Sequence, residues 1–177
     1  MYIALFFIQD QYKNTHSTNF NSKRRHMSFH LDTTDRKILK YLSRDARIKV
    51  VDIAERLGVT SAAIHQRIAK IKKANIVKAF TLRLNEKALG YATCAFVGVF
   101  TDMQGRYDEV IERLRKIEQV VEVHYTTGQY GLFIKLYAKD NDHLMKVLRD
   151  EVQQIPGVNR TETLISLDEP INRNIAF

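Results

Sequence analysis

Between Val50 and Ala74 the chain reads VVDIAERLGVTSAAIHQRIAKIKKA, and one residue in that run narrows the folds open to it. Gly58 stands between two apolar patterns of helical period. Before it, Ile53, Ala54 and Leu57 share one helix face; after it, Ile64, Ile68 and Ile71 recur at i, i+4 and i+7. Glycine accepts a positive φ without a Cβ penalty, so the chain turns sharply here instead of extending as one rod. Thr60 or Ser61 is placed to cap the second helix, which runs to about Ala74. Asn75 then takes the left-handed position that ends it. Small Ala54 lets the two helices approach closely. Helix, short turn with glycine, helix is the helix-turn-helix pattern.

A further helix precedes this pair. In DTTDRKILKYLSRDAR, Ile38, Leu39 and Leu42 form an apolar stripe, Asp32 or Thr33 can cap, and Asp35 suits the positive end of the helix dipole. After the pair, IVKAFTLRL alternates and predicts a short strand packed beside the third helix, which would make the unit a winged one. Asn85 to Gly90 reads as a connection.

A second pattern begins at Tyr91. Tyr91–Thr101 is rich in strand formers, and Arg106–Ile117 places Val110, Ile111, Leu114 and Ile117 on one helix face. Val120–Thr127 and Leu132–Lys139 read as strands joined by GQYG. Asn141–Gln154 is a helix with Leu144, Val147, Leu148, Val152 and Ile155 inward; Pro156-Gly157 stops it, and Val158–Leu167 is a strand. The order β-α-β-β-α-β predicts a ferredoxin-like unit. The fold class is therefore α+β, with residues 27–84 as helix-turn-helix domain, 85–90 as linker and 91–177 as ferredoxin-like domain. Alternate residues of the central strands are apolar on both faces: Phe96 and Phe100 against Ala95, Val97 and Val99, and Phe133 and Tyr137 against Leu132, Ile134 and Leu136. Such a sheet wants a partner, and self-association through it follows as an expectation.

Charge separates the two halves. Residues 27–88 carry fourteen Lys/Arg against six acids, whereas residues 89–177 carry ten against thirteen. A basic module beside a mildly acidic one implies a polyanionic partner for the former, most often nucleic acid. Residues 1–26, with MYIALFFIQD followed by a polar run, lack the features of a secretory signal and are too short in apolar length to span a bilayer. They read as a disordered tail, either upstream of a true start at Met27 or forming a basic arm on DNA phosphates. The single cysteine, Cys94, cannot form an internal disulfide, which fits a reducing cytoplasm, and it reads as a small core residue.

In the helix-turn-helix reading the third helix enters the major groove of double-stranded DNA. Ser61, His65 and Gln66 then lie near base edges, Gln being able to pair bidentately with adenine, Ala62 offers a methyl contact, and Thr60 at the helix start counts among the DNA-binding candidates. Lys70, Lys72 and Lys73 suit phosphates; Arg47 and Lys49, ahead of the second helix, suit the flanking backbone. The plainer alternative is that these cations form a solvated face. No catalytic constellation is visible, and His16, His26, His30, His65, His124 and His143 show no metal-ligand spacing. No metal or cofactor is expected.

LDTTDRKILKYLSRDAR, DIAERLGVTSAAIHQRIAKIKKANIVKAF, TTGQYG and PGVNRTET, in this order and spacing, resemble the Lrp/AsnC regulators over about Leu31 to Asn174. The resemblance implies a transcriptional regulator whose ferredoxin-like domain dimerises through its sheet, assembles into tetramers or octamers, and binds amino acids or related small molecules. It also implies a place on the nucleoid, and adds Arg67 to the DNA candidates. The implied effector loop is Thr126, Thr127, Gly128, Gln129, Tyr130 and Gly131. Gly128 and Tyr130 match the family's G-x-aromatic-Asp pattern, but Gly131 stands where the aspartate would be, removing the natural partner of an ammonium group. Alternatively GQYG is a tight hairpin with glycines for positive φ. Two rival functions stand beside the regulator: an effector-independent architectural DNA protein, and an enzyme like the sirohaem decarboxylases that resemble this family, against which the basic third helix argues.

Overall fold

The computed structural model describes residues 30–102 and 107–177; the tail at 1–26 lies outside them. The chain divides into two compact units, one ending at Leu82 and including Arg173–Phe177, the other spanning Arg83–Asn172.

The first unit is three helices: α1 (Thr33–Arg44), α2 (Val50–Leu57) and α3 (Ser61–Lys73). Asp32 caps α1 reciprocally with Asp35: its carboxylate accepts from the Asp35 amide at 2.7 Å, and the Asp35 carboxylate accepts from the Asp32 amide at 3.3 Å. Gly58, at φ 65°, ends α2, with its own N–H donating to Glu55 and that of Val59 to Ala54. These two bonds satisfy the last carbonyls of α2 and re-aim the chain. Thr60 caps α3 by accepting from the Ala63 amide at 3.2 Å. Asn75, at φ 56°, closes α3 with the same pair of bonds, Asn75 to Lys72 and Ile76 to Ile71. Ile38, Leu42, Ile53, Ala54, Ile64 and Ile68 meet in one core. Each fully buried isoleucine is worth about 1.5–3 kcal/mol of transfer free energy, which outweighs any single cap.

The strand expected over residues 76–84 does not form. The segment is irregular; Phe80 packs on the helical core, while Leu82 and Leu84 are 73% and 59% exposed. Alternation alone makes no strand: the backbone groups need a ladder partner, and none among the described residues pairs with them. Residues 85–90, read as a linker, form a short turn in which the Asn85 side chain accepts from the Ala88 amide at 3.0 Å.

The second unit holds β1 (Thr93–Thr101), α4 (Tyr107–Leu114), β2 (Val120–Tyr125), β3 (Leu132–Ala138), α5 (Asn141–Lys146) and β4 (Val158–Ser166). The antiparallel sheet has the order β2-β3-β1-β4. Ala95, Val97 and Val99 of β1 and Leu132, Ile134 and Leu136 of β3 face Val110, Leu114, Leu144, Val147 and Val152 of the helices. The expected continuous helix to Gln154 becomes a π-helix over Val147–Val152. The wider turn brings Val147 and Val152, five residues apart and both buried, to one inward face.

Cross-strand register puts Phe96, Phe133, Lys135, Tyr137 and Leu164 on the opposite face. There Phe96 and Phe133 stack at 5.9 Å, and Lys135, only 9% exposed, lies 3.5 Å from Glu169 and 3.8 Å from Glu122. Burial opposes the charge on Lys135, but hydrogen bonding to Tyr137 and the two glutamates hold its ammonium above its usual range.

Candidate DNA interface and effector loop

Ile64 and Ile68 anchor α3 on its core, Ile71 is buried on the same side of the helix, and together they decide what the other side presents. Ala62, His65, Gln66, Ala69, Lys70 and Lys73 are exposed and form one stripe running the length of the helix. Ser61 is half-buried at the helix start, Lys72 is half-buried near its end, and Thr60 is engaged as the cap. Polar groups that can read base edges thus sit at the N-terminal end, and cations toward the C-terminal end.

Arg67 departs from its expected place as a DNA contact. Its guanidinium Nη1 lies 2.5 Å from the Asp32 carboxylate and 2.8 Å from that of Asp35. It therefore ties α3 to the capping box of α1. The pair raises the guanidinium, chiefly through Asp32, and the Arg67 hydrogen bond holds the Asp32 carboxyl below its usual value.

Sequence reasoning missed two cations. Arg44 and Arg56 join Arg47 and Lys49 around a groove of about 340 Å³ between the end of α1 and the start of α2. Asp45 accepts from the Arg47 amide at 2.8 Å, and Arg56 lies over the Tyr41 ring at 5.4 Å. Lys49 is the N-cap of α2 and gives it no side-chain bond, and Asp45 and Asp52 line the groove beside the four cations. Arg44 and Arg56 were hidden because they belong to separate helices whose meeting depends on the crossing.

The hairpin at 126–131 is organised by space, not by dihedral angle. Neither Gly128 nor Gly131 has positive φ, so the hairpin explanation based on left-handed glycines fails. The Thr126 hydroxyl donates to the Tyr130 carbonyl. The Tyr130 ring lies on Gly98, where any Cβ would collide with it, edge-on to Phe100 at 5.0 Å. Arg160 stacks on the far side of that group, 4.1 Å from the Phe100 centroid. A Cβ at Gly131 would stand 2.6 Å from Tyr107 Cε1, so the Tyr107 ring fills the volume a side chain there would need. Thr127, Gly128 and Gln129 are exposed at the tip. Tyr107 meets Tyr125 edge to face at 5.2 Å, and Tyr125 donates to Asp108 at 3.3 Å. Burial, reinforced by the negative charge of Asp108, pushes the Tyr125 phenol up.

Both units match family models: the AsnC-type helix-turn-helix domain over residues 31–72 and the Lrp/AsnC ligand binding domain over 94–175. A regulatory protein AsnC of Haemophilus influenzae is 37% identical over 145 residues, covering 82% of this chain and 97% of its own length. The chain belongs to the Lrp/AsnC family. An HTH-type transcriptional regulator of Pyrococcus horikoshii is 37% identical over 137 residues, 77% of this chain and 89% of its own length. The solved structure of Escherichia coli AsnC superposes with a TM-score of 0.79 at 35% identity, over 84% of this chain and 99% of that one. A Neisseria meningitidis transcriptional regulator in complex with L-Met shares the fold at TM-score 0.76 and 21% identity, over 81% and 94% of the two chains. This Lrp/AsnC protein is a helix-turn-helix, DNA-binding transcriptional regulator. Among its described residues no helix is long and apolar enough to cross a membrane.

Proposed function

We propose that this regulator binds duplex DNA through the exposed stripe of α3, with Ala62, His65 and Gln66 at base edges and Lys70 and Lys73 toward phosphates, and with half-buried Ser61 and Lys72 flanking the stripe at its two ends. Arg47 and Lys49, joined by Arg44 and Arg56, hold the backbone that flanks the groove. The observation that carries this reading is the separation along one exposed face of α3: polar groups at the N-terminal end, cations at the other. Phosphate contacts position and base contacts specify, so the two ends have different tasks. A binding titration on operator and random duplexes over a range of salt tests it. Each phosphate contact contributes about 0.9 to the slope of log K against log salt, so equal affinity for both duplexes with a flat slope would sink the assignment.

The regulator works as a homo-oligomer in the cytoplasm, on the nucleoid, without catalytic chemistry of its own. The aromatic open face of the sheet, with Leu164 exposed and Phe96, Phe133 and Tyr137 half-covered, supports association of two copies there. A small molecule, an amino acid or a relative of one, bound at residues 126–131 would shift the balance between assembly states by binding one of them better. The L-Met complex of the Neisseria protein of the same fold supports that ligand class. The absence of a carboxylate at Gly131 favours a second reading, an effector-independent protein that organises DNA. Sedimentation with and without each standard amino acid separates them: a shift in assembly size supports the first, and no shift with any supports the second.

A further inference from the structure

Both ends of the sheet unit are irregular and exposed, and one line of polar contacts joins them. The unit runs from Arg83 to Asn172. After β4 the backbone forms no helix or strand, and Leu167 and Ile171 are 93% and 70% exposed. At the other end Leu84 is exposed as well. Where apolar burial fixes no position, hydrogen bonds and charges set the course of the backbone.

The line of contacts starts inside the sheet. Lys135, level with Phe96 on the open face, lies over the Phe96 and Tyr137 rings at 5.7 and 5.4 Å. A lysine enclosed in this way carries a desolvation cost that an apolar residue of similar volume avoids, so its presence speaks less for stability than for a defined geometry. Its Nζ meets Glu169 Oε1 at 3.5 Å, Glu169 Oε2 accepts from the Asn172 side-chain amide at 2.7 Å, and the Asn172 carbonyl accepts from Arg83 Nη1 at 2.8 Å. Asp168 shapes the turn after β4, its carboxylate accepting from the Glu169 amide at 2.9 Å. The Asn172 bond, with the charges of Lys135 and Arg83 behind it, holds the Glu169 carboxyl below its usual range. The first and last residues of the unit are thereby tied to each other and to a lysine of the sheet.

Arg83 is also where the connection to the helical unit begins. Phe80 packs on the helical core, so Thr81 and Leu82 separate a residue held by one unit from a residue held by the other. Without the Arg83 bond, the next hydrogen bond from this segment to the sheet among the described residues is that of the Ala92 amide to the Lys139 carbonyl, at 3.3 Å. The slack then grows from residues 81–82 to residues 81–91, with the self-contained turn at 85–90 inside it. Each added residue extends a tether by up to about 3.3–3.6 Å.

We propose that Arg83 is a positioning residue for DNA recognition: through Asn172 and Glu169 it pins the connection to Lys135, so that two copies joined through their sheets read two half-sites at one spacing. This rests on the association and DNA readings above and names the group that sets the spacing. Half-site spacing mirrors protein geometry when the reading helices are held firmly, and a slack tether spreads the same binding over many separations.

The test is selection of random-sequence DNA duplexes by the full chain, with sequencing of the bound fraction. The wild type enriches two copies of one short sequence at a preferred spacing. Arg83→Ala enriches the same short sequence, but the excess of the best spacing over one half a helical turn away, about 5 base pairs, falls about fivefold, the factor one hydrogen bond is worth. Glu169→Ala, which cuts the line of contacts in its middle, broadens the spacing likewise, and the double variant goes no further than either single one. Unchanged spacing in Arg83→Ala overturns the proposal. So does a loss uniform over all spacings with a salt slope lowered by about one, the mark of a phosphate contact. Enrichment of single, unpaired half-sites by the wild type would overturn it and leave the DNA reading intact, whereas no enriched sequence at all would overturn both. A melting curve establishes that each variant is folded; if Glu169→Ala is not, Arg83→Ala, which changes an exposed side chain, still decides.

Discussion

Gly58 and Gly131 sit in loops that look alike in sequence, each beside an apolar run and each at a candidate site of its unit, yet they are glycines for different reasons. Gly58 is held at φ 65°, with nothing within 4 Å of where a Cβ would stand. Gly131 has an ordinary backbone, and a Cβ there would strike the Tyr107 ring. The first requirement is local: it follows from how α2 must end for α3 to begin, and residues on either side announce it. The second is tertiary, imposed by a ring from a helix 24 positions earlier in the chain. The helical unit was therefore far more readable than the loop at 126–131.

The sharpest way to break the comparison is to change both glycines. Gly58→Val puts a β-branched residue in the left-handed region and costs about 3 kcal/mol, the upper end for a strained backbone position. The helical unit loses its cooperative melting and DNA binding is lost, while the sheet unit, with its own core, keeps its amide protection in hydrogen exchange. Gly131→Ala costs less, about 1–2 kcal/mol, because the obstacle is a side chain that can swing away. The decisive result is context. In a Tyr107→Ala background Gly131→Ala becomes nearly neutral by thermal denaturation, whereas Gly58→Ala costs the same in either background. If Gly131→Ala were equally costly with and without the Tyr107 ring, space would not be the reason for that glycine.

The legible parts share a physical property. Asp32, Gly58, Thr60 and Asn75 act within four residues of themselves, through caps and dihedral angles, and the isoleucine stripe of α3 declares its buried side by period alone. The succession of strands and helices along the second unit was legible too, because period and turn spacing leave few other topologies. What escaped depended on a partner distant in sequence. Residues 76–84 had strand alternation without a ladder. Val147–Val152 had helical spacing that resolved as a wider turn once two valines had to share one core. Arg67 had the charge and the helix of a DNA contact, and two acids 35 and 32 residues away claimed it. Arg44 and Arg56 became neighbours only when α1 and α2 crossed.

Within α3 the same contrast, local against distributed, is open to a finer test. Lys70→Ala weakens binding on every duplex and lowers the salt slope by about one. Gln66→Ala leaves the slope unchanged and costs about 1–3 kcal/mol at one base position, read as lost discrimination there in a binding-site substitution series. Identical effects of the two on slope and sequence preference would erase the division of α3 into a reading end and an anchoring end.

The smallest effect expected is also the one that decides what Arg67 is for. As a strut it contributes to holding α3 against α1, so Arg67→Ala lowers affinity on all duplexes while leaving the salt slope at its wild-type value, since no phosphate contact is lost. A slope reduced by about one would instead make Arg67 a phosphate ligand that exchanges its acids for DNA. Acid titration gives an independent reading of the same bridge. Arg67 lowers the folded-state value of Asp32, so this contribution to stability is present above the unfolded carboxyl value of about 3.9 and is lost as pH falls through the lower folded value. Both partners are substantially exposed to solvent, which keeps the effect small. The melting temperature of the helical unit should therefore drop slightly more steeply below about pH 4 in the wild type than in Asp32→Asn, which retains an oxygen for the cap but not the charge. Parallel curves for the two proteins would mean that the bridge adds nothing to stability, and the steadying of α3 would then rest on its buried isoleucines.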